Sequence, residues 1–201
     1  RPLCLGKLDD SYVVASETCA FDIISAQYIR DIEPGEVIVI PLTNDDTEID
    51  SRALAGKNGE RKQCIFEYIY FSRPDSMIFG HYVDKIRRRL GKILARRYPV
   101  IPANPEEKVI VMSVPDSSNT AALGYARELE KMGVNARFEI GLLRSHYIGR
   151  TFIEPGQENR EMRVKIKFNP VKGVLKDKIV VVVDDSIVRG TTSKQLINLI
   201  R

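Results

Sequence analysis

The pattern of apolar and polar positions divides the chain into two unequal segments. In the first, positions 1–61, the short apolar run at 12–15 predicts a strand. Ser16 is placed to cap a helix over 17–28, where Ala20, Phe21, Ile23, Ile24 and Tyr28 fall at helical spacing. Glu33-Pro34-Gly35-Glu36 predicts a turn, and the β-branched run 37–42 a buried strand. Positions 44–50 are acidic, and 55–62 carry Gly56, Gly59 and several charges, the composition of a linker or surface loop.

The second segment starts near Cys64 with an apolar and aromatic run at 65–71 and a turn at 72–76. A helix is predicted over 84–97. Ile86, Leu90, Ile93 and Leu94 form its apolar stripe, and Lys85, Arg87, Arg88, Arg89, Lys92, Arg96 and Arg97 coat the rest. Then come a strand at 109–114, a helix at 119–132, a strand at 136–143, a basic stretch at 144–172, a strand at 178–184 and a helix from 191 onward. Strands alternating with helices predict an α/β architecture with a parallel sheet.

Composition narrows the function classes. Of 201 residues, 43% are hydrophobic and 29% charged, an ordinary soluble balance. No apolar run approaches the roughly 20 residues of a membrane helix, and no signal peptide is recognisable. A net charge of +4 does not by itself argue for nucleic acid. The three cysteines, Cys4, Cys19 and Cys64, exclude a disulfide scaffold and predict a cytoplasmic protein. The chain opens Arg1-Pro2, with 3–8 already reading as fold interior, and closes within the apolar-periodic 195–200. A fragment of a longer protein is expected.

The chemistry concentrates at 178–193. Five β-branched residues, Ile179 to Val183, predict a strand buried on both faces. Asp184 and Asp185 end it, at the edge where open α/β sheets bind ligands. Gly190 then precedes a helix start flanked by Ser186, Thr191, Thr192 and Ser193. Backbone N–H groups and hydroxyls there favour a phosphate. A phosphate at one end and two carboxylates facing hydroxyls or a divalent cation describe a sugar phosphate. An Asp pair alone could merely end a strand and cap a helix; the whole string 180–193 is far more specific.

That string resembles the PRPP-binding signature of type I phosphoribosyltransferases. The order of further pieces resembles one family, glutamine phosphoribosylpyrophosphate amidotransferase. These are the run from Cys64 to Ser76, Val114-Pro-Asp-Ser-Ser118 and Tyr147-Ile-Gly-Arg-Thr-Phe-Ile153, with Arg1 to Gly6 and Val14 to Thr18 similar to the end of that family's glutaminase domain. The resemblance implies a phosphoribosyltransferase domain over 64–201, cut short, behind the C-terminal part of an α+β N-terminal-nucleophile glutaminase domain over 1–63. It implies transfer of ammonia from glutamine to C1 of PRPP, giving 5-phosphoribosylamine, glutamate and pyrophosphate, the first step of purine nucleotide synthesis. The nucleophilic Cys lies upstream of Arg1; Cys4 and Cys19 read as packed thiols. By the same resemblance Asp184 and Asp185 meet Mg²⁺ and the ribose hydroxyls, and Ser117 stands near the metal. A capping serine ahead of the 119–132 helix is the alternative reading of Ser117, and the two roles are compatible. Ser186, Arg189, Gly190, Thr191 and Thr192 cradle the 5-phosphate. Residues 144–169 correspond to a lid, with Arg150 its candidate contact; His146 reads equally as an exposed loop residue. Cys64 corresponds to one ligand of the [4Fe–4S] cluster that some members hold. A homo-oligomer and nucleotide feedback inhibitors are expected partners beside PRPP and glutamine.

Two rivals stay open. A nucleobase phosphoribosyltransferase would share the signature, but has no use for a glutaminase-like 1–61. A PRPP-binding regulator would keep the Asp-Asp loop and catalyse nothing. The basic helix 84–97 is its best support, although charge opposite an apolar stripe is usually a solvated face.

Overall fold

The computed structural model describes residues 1–40, 49–54, 62–145 and 167–201. Arg150, His146 and most of the expected lid lie outside the described residues, as do most of the two predicted surface stretches in the first segment. The chain forms two compact units, Arg1–Ile86 and Arg87–Arg201.

In the first unit, β1 (Cys4–Leu8) is the centre of an antiparallel sheet between β2 (Ser11–Ala15) and β3 (Gln27–Asp31). Helix α1 (Cys19–Ile24) buries Cys19 and Phe21. Gly6 makes room for it, since a Cβ there would sit 3.1 Å from the Phe21 ring. The helix expected over 17–28 therefore stops early. Ser25 turns left-handed at φ 59° and closes it. Tyr28 joins a strand instead, because the free edge of β1 offers 27–31 a ladder of backbone hydrogen bonds. The strand expected over 37–42 is β4 (Glu36–Val39), paired with β5 (Asp50–Ala53). It is not buried: Val37 and Val39 remain exposed, as in a two-stranded ribbon with no layer over this face among the described residues. The aromatic run folds as one wide helical turn, Glu67–Phe71, closed by Ser72 N–H on the Glu67 carbonyl at 3.0 Å. A short hairpin of β6 (Met77–Ile78) and β7 (His81–Tyr82) leads into helix α2 (Val83–Arg97).

The second unit is an α/β layer structure around β8 (Val109–Ser113), every residue of which is buried. It pairs in parallel with β9 (Ala136–Phe138) on one side and β12 (Ile179–Val183) on the other. Two cores fill the faces. Val109 and Val111 pack with Ala122, Tyr125, Ala126 and Leu129 of α3 (Asn119–Lys131). Ile110 and Met112 pack on the other face with Leu142, Phe168, Leu175 and Leu196. The alternation is the period-2 geometry of a strand covered on both sides. β12 is only half-buried apart from Val183, because it is the outer strand of the described sheet. The strand expected over 136–143 is two strands. After β9 the chain turns at Gly141, where a Cβ would lie 2.5 Å from the Met112 sulfur, and β10 (Leu142–Arg144) pairs antiparallel with β11 (Phe168–Pro170). Between β11 and β12 lies the one-turn α4 (Lys172–Leu175).

Helix α2 corrects the expected stripe. Within its stretch in this unit, the buried positions are Arg87, Gly91 and Ala95, one helical turn apart. Leu90, Ile93 and Leu94 are exposed. The reason is close approach. Gly91 lies against the Ala121 carbonyl and Gly124 against that of Arg88, so α2 and α3 meet through their two glycines. Small residues, not the largest apolar ones, decide which face of α2 turns inward. Two further bonds tie this seam: Arg96 Nε donates to Glu128 Oε1 at 2.6 Å, and the Tyr125 hydroxyl to the Tyr98 carbonyl at 2.7 Å.

Candidate functional site at the carboxyl edge of the parallel sheet

Parallel pairing puts the carboxyl ends of β8 and β12 side by side, with Ser113 opposite Val183. The Val114 N–H donates to the Val183 carbonyl at 2.9 Å, one step beyond the ladder. Two loops therefore leave the same edge next to each other. One, 114–118, enters α3; the other, 184–190, enters α5 (Thr191–Ile200).

Asp184 is half-buried at the junction. Its Oδ1 accepts from the Asp185 N–H at 2.9 Å and from the Ser118 hydroxyl at 3.5 Å. Burial pushes its carboxyl above the usual aspartate range. The neighbouring Asp185 adds to the rise, while those two hydrogen bonds oppose it. Asp185 Oδ1 accepts from the Ser186 hydroxyl at 2.8 Å. The pair is thus held by its own loop and, through Ser118, by the neighbouring one, and both residues stay half-buried.

Gly190 sits at φ 71°, a left-handed conformation that admits glycine without strain, and it starts α5. Gly190 has no side chain to cap this helix start, so among the described residues the leading N–H groups around Thr191, Thr192 and Ser193 are open to solvent or to an anion. Thr191, Thr192, Ser186 and Arg189 are all exposed, and Val188 is 90% exposed. The structure therefore brings Asp184, Asp185, Ser186, Arg189, Gly190, Thr191 and Thr192 onto one loop and helix start. The loop bearing Ser117 lies beside it.

Sequence reasoning singled out Ser117 and passed over Ser118. Ser118 is fully buried and stands directly before α3, but its hydroxyl makes no capping bond and turns to Asp184 instead. Ser117 is half-buried and presents its carbonyl to Arg87 Nη1 at 3.2 Å. Two adjacent serines carry no signal in the chain that says which one reaches across to the neighbouring strand. At the outer rim Arg144 Nη1 donates to Asp116 Oδ2 at 3.1 Å. On the strand side, the Ser113 hydroxyl donates to Asn119 Oδ1 at 2.6 Å.

The oxygen donors of Asp184, Asp185 and the two serines suit a hard divalent cation that takes most of its ligands from a bound phosphate. Among the described residues no group of three or more His, Cys, Asp or Glu could hold a metal unaided. Cys64 is exposed, whereas Cys4 and Cys19 are buried. Burial pushes the Cys4 thiol up to about 11, and its Sγ donates to the Ala15 carbonyl at 3.1 Å. An iron–sulfur cluster needs four thiolates, so three cysteines, two of them buried, do not make one within this chain.

The raised Asp184 carboxyl gives a stability prediction. A carboxyl whose folded value lies above its unfolded one stabilises the fold while protonated, and that contribution is lost as pH rises through the folded value. Asp184→Asn keeps an acceptor for both hydrogen bonds and removes the charge. Its melting temperature at pH 7 should equal or exceed that of the wild type. The difference should shrink as pH falls toward the ordinary aspartate range. A variant that melts lower at pH 7 would show that the charge is stabilising.

Over its whole length the chain is 52% identical to the chloroplastic amidophosphoribosyltransferase of Vigna aconitifolia, across 202 residues that make up 38% of that protein. It is 48% identical to the amidophosphoribosyltransferase of Bacillus subtilis (strain 168) across 201 residues, 39% of that protein. Among solved structures, an allosteric regulatory enzyme of purine biosynthesis superposes with a TM-score of 0.83 at 47% identity, covering all of this chain and 40% of that one. A glutamine PRPP amidotransferase from B. subtilis, complexed with ADP and GMP, superposes with a TM-score of 0.82 at 47% identity, covering all of this chain and 41% of that one. The relatives at about half identity are thus amidophosphoribosyltransferases, and the chain spans about two fifths of their length. No family model matches the chain. No helix among the described residues is long and apolar enough to cross a membrane.

Proposed function

We propose that this chain is part of an amidophosphoribosyltransferase and that its carboxyl-edge site binds PRPP for attack by ammonia at C1. The observation that carries this reading is the juxtaposition of Asp184-Asp185 and the uncapped, glycine-led start of α5 with the Ser117-Ser118 turn on the adjacent strand. The start of α5, with Ser186, Thr191 and Thr192, receives the 5-phosphate. Asp185 and Asp184 accept hydrogen bonds from the ribose hydroxyls and, with Ser117 and Ser118 nearby, would hold Mg²⁺ carried by the diphosphate. When bound, that ion neutralises charge building on the leaving pyrophosphate. The C1–O bond to pyrophosphate breaks as the C1–N bond forms, and a proton leaves the attacking ammonia. The protein's share is to orient the ribose and to stabilise charge, so no protein nucleophile is required at this half-site.

The same reading assigns 1–63 to the end of a glutaminase domain and 64–201 to the transferase domain. The glutaminase nucleophile and the remaining ligands of any cluster at Cys64 then belong to sequence outside this chain. Arg150, outside the described residues, is assigned to PRPP contact by the same reading. The B. subtilis relative is complexed with ADP and GMP, which supports adenine and guanine nucleotide binding here; that these nucleotides inhibit, and that the protein works as a homo-oligomer, belong to the same proposal.

The test is pyrophosphate release from PRPP and Mg²⁺ by the full-length protein carrying this sequence, with glutamine, with ammonia, and with neither. Release with either nitrogen source, and little without one, is expected. PRPP binding without release under any of the three conditions would overturn the enzyme reading in favour of a PRPP-binding regulator.

A further inference from the structure

Arg87 is 3% exposed, although it was expected on the solvated side of its helix. Apolar residues were at hand for that buried position, yet Leu90, Ile93 and Leu94 of the same helix are exposed. A guanidinium cannot shed its proton in a protein, and burying one costs stability against a well-packed apolar side chain. A charge is kept in the interior by the partners it meets, and Arg87 has more than one.

Its position supplies one of them. Arg87 lies one turn before Gly91, and Gly91 meets Ala121, one turn into α3. The glycine crossing therefore sets Arg87 against the loop that enters α3, where Nη1 donates to the Ser117 carbonyl at 3.2 Å. That loop is held at other points as well, beginning with the Val114 N–H on the Val183 carbonyl. Ser113 bonds Asn119, Ser118 reaches Asp184, and Asp116 pairs with Arg144 at the exposed rim. Arg87 is the anchor from behind, inside the protein, where solvent does not weaken a charge-assisted bond.

Resting on the PRPP reading above, we infer that Arg87 is a positioning residue for the diphosphate end of the substrate. It touches neither substrate nor metal. It fixes the Ser117 peptide, so the 114–118 turn is already in its binding conformation when PRPP and Mg²⁺ arrive. Such preorganisation acts on affinity first, since an unanchored turn must be ordered at the moment of binding.

The experiment compares wild type, Arg87→Met and Arg87→Lys in the full-length protein. It measures KM for PRPP and kcat with ammonia as nitrogen source, the Kd for PRPP with Mg²⁺ by calorimetry, and the melting temperature without substrate. Arg87→Met should raise KM and Kd together by about tenfold, the scale on which a charge-assisted hydrogen bond acts, while kcat changes by less than about threefold. Arg87→Lys, which keeps a donor and the charge, should recover most of the affinity. KM and Kd both unchanged in Arg87→Met, with only the melting temperature lowered, would reduce Arg87 to a packing residue and overturn the inference. A kcat loss at unchanged KM and Kd would do the same. If Arg87→Met does not fold, Arg87→Lys decides: a two- to fivefold rise in Kd supports the role and an unchanged Kd refutes it. A wild type that binds PRPP without turning it over would sink the enzyme reading yet leave the Kd comparison decisive for Arg87. A wild type that does not bind PRPP would refute both.

Discussion

Replacing Asp185 by Asn should lower ammonia-dependent pyrophosphate release in the full-length protein by at least about a hundredfold, at an unchanged melting temperature. Asn has the shape of Asp and keeps an oxygen for the Ser186 hydroxyl, which Asp185 Oδ1 accepts at 2.8 Å. What it loses is the charge. A hydrogen bond to a charged group is worth about 1.5–3 kcal/mol, and each 1.36 kcal/mol of transition-state stabilisation is a factor of ten. Asp185 is proposed both to accept from a ribose hydroxyl while positive charge grows on the ring and to face Mg²⁺. Both interactions strengthen toward the transition state, so the loss should fall on kcat as well as on KM. Among the described residues no hydrogen bond from another strand or helix ends on the Asp185 carboxylate, so the fold should not weaken. Asp184 differs, because it is half-buried between Asp185 N–H and Ser118 and its charge works against folding. A loss of less than threefold in Asp185→Asn would remove Asp185 from the site.

Much of this site was legible in the chain, for a physical reason. Five β-branched residues ending in two aspartates, followed by a glycine and a hydroxyl-rich stretch, spell out a strand, its carboxyl edge and a helix start in consecutive positions. Such a signal is local and survives without knowledge of neighbours. What the chain did not disclose is what depends on neighbours. The helical spacing of Ala20, Phe21, Ile23 and Ile24 runs on to Tyr28 by coincidence, while β1 captures Tyr28 into a strand. The run 136–143 looks like one strand, yet two different partners divide it. Ser118 could be told from Ser117 only by the path of the loop.

Helix α2 is the clearest case. Hydrophobicity nominated Ile86, Leu90, Ile93 and Leu94 as its inner face, whereas geometry chose Arg87, Gly91 and Ala95. An apolar stripe reports where oily surface could be buried. It does not report that a partner helix will approach so closely that only glycine fits. Gly91 and Gly124 carried that information, but each reads in isolation as a weak point in a helix rather than as half of a crossing.

That crossing carries the second large prediction. An added methyl group at Gly124 would press on the Arg88 carbonyl, and one at Gly91 on that of Ala121, both well inside contact distance. These obstacles are backbone, so no side-chain rotation relieves them and the helices must separate. Alanine favours a helix over glycine by about 1 kcal/mol, whereas overpacking costs about 1–3 kcal/mol and sometimes more. With a rigid obstacle the second effect should win. Gly124→Ala is expected to destabilise by about 2 kcal/mol, which lowers the melting temperature by about 4–8 °C in a chain of this size. Gly173→Ala is the control. It lies in α4 with nothing within 4 Å of the new methyl, so propensity acts alone and stability should hold or rise slightly. The two crossing glycines should not add. Once α2 has moved away to accommodate one methyl group, the second finds the gap already open, so Gly91→Ala with Gly124→Ala should cost less than the sum of the singles. Separation also draws Arg87 away from the Ser117 carbonyl, so in full-length protein still folded at the assay temperature each variant should weaken PRPP binding in the same direction as Arg87→Met. Melting at or above the wild-type temperature in Gly124→Ala would mean that the seam yields freely. The crossing could not then be what holds Arg87 against the loop.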